Sequence, residues 1–147
     1  MSDALFGWNP PLALALFALV SVQLLKFFGT LIVLKRLDLR RLIGTGGMPS
    51  SHAASASALA TAVGLQVGWG SPLFAVAAYF ALVVLYDATG IRRAAGRQAA
   101  VLNRMIEDLR EHHTIEGERL LELLGHTPLE VLAGTTYGIL VALALSP

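Results

Sequence analysis

"PLALALFALVSVQLLKFFGTLIVL", residues 11–34, is the stretch on which the fold turns. Its apolar run is interrupted only by Gln23 and Lys26. A bilayer core about 30 Å thick needs roughly 20 helical residues to cross it, and this run is long enough. The rest of the chain agrees. An average soluble domain is about 25% charged, whereas this chain of 147 residues is 14% charged and 55% hydrophobic, with a mean hydropathy of +0.65. Helices satisfy every backbone donor and acceptor within one segment, so an apolar run of this length in lipid reads as a helix.

Working outward, three more apolar runs follow, at 51–67, 71–87 and 128–145. The run 51–67 is short for a span, but its small residues ("SHAASASALATA") let neighbouring backbones approach closely, with Ser55 and Ser57 as packing residues. The expected fold is all-α: one membrane domain over 1–147, an integral bundle of about four transmembrane helices, plus an inserted helical segment at 88–127. Within that insertion, "AGRQAAVLNRMIEDLREHH" sets Ala99, Leu102, Met105, Ile106 and Leu109 at helical spacing with charges between them, the pattern of an amphipathic helix. "IEGERLLELL" predicts a second, short one. Such a segment covers the membrane face, lies among the headgroups, or closes over a site. There is no internal repeat.

The basic residues set the orientation. Lys35, Arg36, Arg40 and Arg41 lie in one inter-helix segment, and Arg92, Arg93, Arg97, Arg104, Arg110 and Arg119 in another, while the N-terminal segment, the 68–72 loop and the C-terminus have none. Lys and Arg in loops mark the cytoplasmic side. Both termini are therefore expected outside and both basic segments in the cytoplasm, as for a bacterial inner-membrane protein. The N-terminus "MSDALFGWNP" has no basic region ahead of its apolar run, so no cleaved signal peptide is expected. A net charge of +1 gives no attraction to nucleic acid, and the absence of cysteine excludes disulfides and thiolate metal sites.

Chemistry concentrates at helix starts on the basic side. "GTGGMPSSHAASASA" (44–58) puts Gly46, Gly47 and Pro49 before a helix whose N-cap is Ser50, and the free N–H groups of a first turn favour an anion. His52 falls in that turn. "LLGHTPLEVLAG" (123–134) starts a second helix on the same face, where Thr127, Pro128 and Glu130 spell a capping box with proline at the first position, and His126 lies just before the cap. A histidine nucleophile with a histidine acid suits phosphoryl transfer. Asp87, near a membrane boundary, needs a partner. Lys26 either snorkels to the inner interface or faces Asp87 or a phosphate. Arg92 and Arg93 are topological anchors or phosphate ligands. His112 and His113 point different ways on a helix and make no metal pair.

Three stretches together, "GGMPSSHAA", "YDATGIRRAAGRQAAVLN" and "LLGHTPLEVLAG", resemble the divergent bacterial and plastid branch of the type 2 phosphatidic acid phosphatase superfamily, which also contains the vanadium-dependent haloperoxidases. The resemblance runs from about residue 20 to 140. It implies a helical bundle and a metal-independent phosphatase, with neither metal nor cofactor. By motif it assigns His126 as the nucleophile that attacks phosphorus, Glu130 as the group orienting it, and His52 of Pro49-Ser50-Ser51-His52 as the acid for the leaving alcohol. Ser51 stands where the superfamily has glycine. The third motif's arginine falls at Leu120, one residue from Arg119, and the first motif has no match, since Lys35 and Arg41 are six apart with no proline. Ser50, Ser51, Lys26, Arg41, Arg92 and Arg93 are the candidates for holding phosphate.

The expected function is hydrolysis of a phosphomonoester or diphosphate headgroup on a membrane lipid, through a phosphohistidine, at the cytoplasmic face. Phosphatidylglycerophosphate, phosphatidate and isoprenoid diphosphates all fit, and self-association into a homo-oligomer is left open. Two alternatives compete: a non-catalytic protein that binds anionic lipid, and a small transporter subunit using Lys26 and Asp87.

Overall fold

The computed structural model describes residues 9–35, 47–112 and 125–146, and within them the chain is helical. Helix α1 spans Pro10–Leu34, α2 Ser51–Val67, α3 Pro72–Thr89, α4 Ile91–His112 and α5 Pro128–Leu145. Local chemistry marks each start. Asn9 caps α1 by accepting from the Leu12 N–H at 3.1 Å, with proline in the first turn. Ser71 caps α3 in the same way, its Oγ accepting from the Phe74 N–H at 3.1 Å ahead of Pro72. Between α2 and α3 the chain reverses at Gly68, whose φ of 91° is open to glycine without strain. The resulting hairpin sets α3 antiparallel to α2.

Helix α2 is the centre of the bundle and packs against α5, α1 and α3. Eleven of its 17 residues are buried, all of them small or β-branched. Its sides carry separate clusters: Ala58 and Ala62 meet Leu14 and Ala18 of α1 and Ala142 of α5, whereas Ala56, Ala60 and Val63 meet Ala77 and Ala81 of α3. Near the start of α2, Ala53 meets Ala88 and Val131.

Bulk is distributed in the opposite sense. Leu16, Phe17, Val20, Leu24 and Phe28 of α1, Val76 and Phe80 of α3, and Leu132 and Leu140 of α5 all point outward. Water would penalise such a surface, whereas acyl chains accept it, leaving close packing of small residues to hold the helices together. Among the described residues, three stretches are long and apolar enough to cross a membrane: Pro10–Ile32, α5, and a run that begins at Pro72. At 17 residues, or about 26 Å, α2 is the shorter helix that these enclose.

Helix α3 continues through Thr89 before Gly90 separates it from α4. The amphipathic helix expected within 88–127 is α4. Ala99 is buried on it and Ile106 half-buried, while Leu102 and Met105 face outward. Asn103 is buried, 4% exposed, on a stripe with Gly96 and Ala99. Hydropathy alone would have turned that asparagine to the polar side. The second short helix expected from "IEGERLLELL", together with His113, lies outside the described residues.

Candidate active site

The site is built where α2 and α5 begin. The two helices run parallel in a fixed register: a Cβ placed on Gly134 would collide with the Ser50 carbonyl, and one on Gly138 with the Ala54 carbonyl. Four residues further along each helix, Ala142 packs in the cluster that contains Ala58. Only glycine lets the backbones approach this closely. Parallel packing brings both helix N-termini to one end of the bundle.

Ser50 is fully buried at this junction. Its Oγ accepts from the Ala53 N–H at 3.4 Å, and its own N–H donates to the Glu130 carbonyl at 2.9 Å. Ser51 is buried beside it, and His52, in the same first turn, is half-buried. Thus the loop carrying Pro49-Ser50-Ser51-His52 is tied to the first turn of α5.

His126 is held at three points. Its backbone N–H donates to the Ala88 carbonyl of α3 at 3.0 Å, and it immediately precedes the cap of α5. Its Nδ1 lies 3.1 Å from Glu130 Oε2. That oxygen also accepts from the Thr127 N–H at 2.9 Å, while Thr127 Oγ1 accepts from the Glu130 N–H at 3.3 Å, completing the capping box. A carboxylate oxygen so placed is an acceptor, so the proton between the two residues belongs on Nδ1. In the neutral form of the ring, that arrangement puts the lone pair on Nε2. His126 is only 3% exposed, which shields this geometry from water.

The other candidates fall around the same end. Asp87 is half-buried in the last turn of α3, next to the Ala88 that receives the His126 N–H. In α1, Ser21 Oγ accepts from the Tyr137 hydroxyl of α5 at 2.9 Å. Because α1 runs antiparallel to α5, Lys26, five residues on, is level with the first turns of α5. It is 8% exposed, so its stem lies inside the bundle rather than along its outer surface. Arg92 and Arg93 occupy the first turn of α4; their side chains, and Arg41 entirely, lie outside the described residues. Among the described residues, no three His, Cys, Asp or Glu side chains group so as to hold a metal ion.

The structure therefore joins His126 to Glu130, and Ser50 to the backbone of Glu130, and it puts His52, Asp87 and Lys26 at that same end. Sequence reasoning missed the glycines that clamp the site. Gly134 and Gly138 form a G-x-x-x-G pair, a signal for close helix contact that was present in the sequence. The Ala88 carbonyl left no such signal, because any residue type supplies one.

The sequence profile of the divergent PAP2 family matches residues 8–141. A curated protein of Bacillus subtilis (strain 168), named "Uncharacterized membrane protein YuiD", is 42% identical over 149 residues, covering 94% of each chain. No solved structure matches the chain. Nearly the whole chain, including all three site-forming stretches, falls within the family match, and the chain belongs to the divergent PAP2 family, a membrane-embedded branch of the PAP2 superfamily.

Proposed function

We propose that the protein is a metal-independent lipid phosphatase working at the cytoplasmic end of the bundle. The observation that carries this reading is the contact of His126 Nδ1 with Glu130 Oε2 at 3.1 Å. It fixes the ring in the tautomer that a nucleophile needs and sets a negative charge against the face that becomes positive on phosphorylation.

In the first step His126 Nε2 attacks phosphorus and forms the N–P bond, while the bond from phosphorus to the lipid oxygen breaks. His52, protonated, gives its proton to the departing alkoxide. In the second step His52, now neutral, takes a proton from water as the water oxygen attacks phosphorus. The N–P bond breaks, and inorganic phosphate and free His126 result. Charge on the transferring group is met by the N–H groups of the first turn of α2, by Lys26, and by arginines among Arg41, Arg92 and Arg93. Asp87 serves as ion-pair partner to one of these cations. A lipid phosphate suits a site at the end of a membrane bundle, because its tails remain in the bilayer while the headgroup reaches the helix N-termini. Phosphatidylglycerophosphate, phosphatidate and isoprenoid diphosphates share that chemistry.

A second reading is non-catalytic binding of anionic lipid. What favours it is that His126, Thr127 and Glu130 also complete a joint between α3 and α5, which accounts for them without catalysis. Phosphate release from a panel of lipid phosphates separates the two. Purified full-length protein is assayed with a chelator present, beside His52→Ala and His126→Ala variants. Release by wild type that is lost in both variants, with folding and lipid binding retained, supports the phosphatase. Binding without release from any lipid overturns it in favour of the second reading.

A further inference from the structure

Helix α2 is covered on every side but one. Between Ser51 and Gly64 its residues are buried except His52, Ser55 and Leu59, which are half-buried. Spacings of three and four residues put these on a single stripe. Ala58 and Ala62 face α1, Ala56, Ala60 and Val63 face α3, and Ser50 and Ala54 lie against α5. At 3.6 residues per turn, the stripe falls between the α1 and α3 sides, opposite α5. Among the described residues, α1 and α3 both pack on α2 but form no packed pair with each other. The stripe is therefore the floor of a cleft between them.

Each wall follows from the same geometry. On α1, Ala18 faces α2 and Ser21 bonds to Tyr137 of α5, so Leu19 and Lys26 fall on the edge turned away from α5. On α3, Leu85 packs on the cluster that holds Val131 of α5, while Val84 packs on the cluster that Leu59 borders. Val84 and Asp87, one turn apart, make the α3 edge turned away from α5. The register then sets the levels. Lys26 is eight residues beyond Ala18, and Ser50 is eight before Ala58, which shares its cluster. His52 and Asp87 adjoin Ala53 and Ala88, which pack together. Lys26, His52 and Asp87 thus stand level at the mouth of the cleft, at the end of the bundle where His126 is held. One to two turns further in, the same three helices present Leu19, Leu59 and Val84, all half-buried, with Ser55 between.

We propose that this cleft is the groove for one hydrocarbon tail of a lipid phosphate, whose phosphate sits at Lys26 and His52 and whose tail lies along Leu19, Leu59 and Val84. The groups follow one another in that order: cation and imidazole at the mouth, a hydroxyl next, hydrocarbon beyond. A lipid phosphate repeats it, with its anion first, its ester oxygens next and its chain last. A water-soluble phosphate ester would leave the apolar part of the cleft without a partner. Asp87 does not oppose the anion directly, because it stands on the α3 wall with the width of α2 between it and Lys26. The proposal rests on the lipid-phosphate reading of the site for its headgroup, and it adds that recognition extends to the tail.

Photolabelling tests it. Full-length wild-type protein in phosphatidylcholine vesicles receives a phosphatidate with a diazirine on one acyl chain, and labelled residues are mapped by mass spectrometry. At constant probe fraction, labelling of Leu19, Leu59 and Val84 should fall several-fold when unlabelled phosphatidate is added, and should not change with extra phosphatidylcholine. Labelling of Leu132 and Leu140, which point outward on α5, reports bulk lipid and should respond to neither. Ser55→Leu, which fills the cleft between its polar and apolar parts, should remove most of the competed labelling; the wild-type competition decides without that variant. A cleft labelled no more than the outer face of α5, or labelling that phosphatidate does not compete, overturns the proposal. Full competed labelling in Ser55→Leu overturns it too. Competed labelling by protein that releases no phosphate sinks the phosphatase and leaves the groove standing, whereas release without competed labelling does the opposite.

Discussion

Glu130 Oε2 accepts from two donors at once, the Thr127 N–H and His126 Nδ1, and substitutions can separate these roles. In Glu130→Gln the amide oxygen still accepts from the backbone, so the helix start survives and the unfolding temperature should shift by only a few degrees. What is lost is the negative charge facing a ring that becomes cationic when phosphorylated. On the phosphatase reading, phosphate release should fall by roughly 10²–10⁴-fold, the range for losing a positioned acid, base or its electrostatic support. Thr127→Ala does the reverse. It removes the side-chain acceptor of the cap and should cost about 1 kcal/mol of stability, while the contact of Glu130 with His126 persists. If Glu130→Gln lowers stability as much as Thr127→Ala does, and leaves release untouched, Glu130 is a capping residue and nothing more.

Between elements, the register of α2 against α5 rests on two positions without side chains. A methyl at Gly134 or Gly138 meets carbonyl oxygens of α2, which cannot swing aside as a flexible side chain could. Gly138→Ala should therefore destabilise by about 1–3 kcal/mol, the usual cost of overpacking a tight contact, and Gly138→Leu should prevent the bundle from assembling. Leu132→Ala, on the outer face of α5, is the comparison and should change the detergent unfolding midpoint little. Equal midpoints for Gly138→Leu and wild type would remove the proposed basis of the site, since parallel packing is what brings the two helix starts together. This also explains what could be read from the sequence. The apolar runs 11–34, 51–67, 71–87 and 128–145 lie within two residues of α1, α2, α3 and α5, because lipid enforces length, and the caps Ser50 and Thr127 were legible in the sequence, whereas those at Asn9 and Ser71 emerged with the structure. The His126–Glu130 contact was expected only from the family resemblance, which makes Glu130 the group orienting His126; read by itself, the sequence gives Glu130 a capping role. Pairing was not legible in full. That α2 lies against α5 depends on a steric vacancy at Gly134 and Gly138, and Asn103 is buried through tertiary contacts that its helical period does not reveal.

For the whole molecule, orientation decides whether the site can meet its substrate. Lys35 ends α1, and Arg97 and Arg104 lie on α4, which follows α3 at the end of the bundle where α2 and α5 start; in the sequence the other basic residues of 35–41 and 92–119 fall in the same inter-helix segments, and the 68–72 loop has none. The Lys and Arg bias of short loops sets topology, so the site end should face the cytoplasm, where a lipid phosphate of the inner leaflet would reach His126 and His52. The absence of cysteine makes this measurable with single labels. A cysteine replacing Trp69, exposed in the α2–α3 turn, should react with a membrane-impermeant maleimide added to intact cells. Cysteines replacing Arg97 or Arg104, exposed on α4, should react only after the membrane is opened. The reverse pattern would put the helix starts outside and require an outer-leaflet substrate. Labelling at both ends in intact cells would signify dual insertion, in which case the site would meet lipid phosphates of both leaflets.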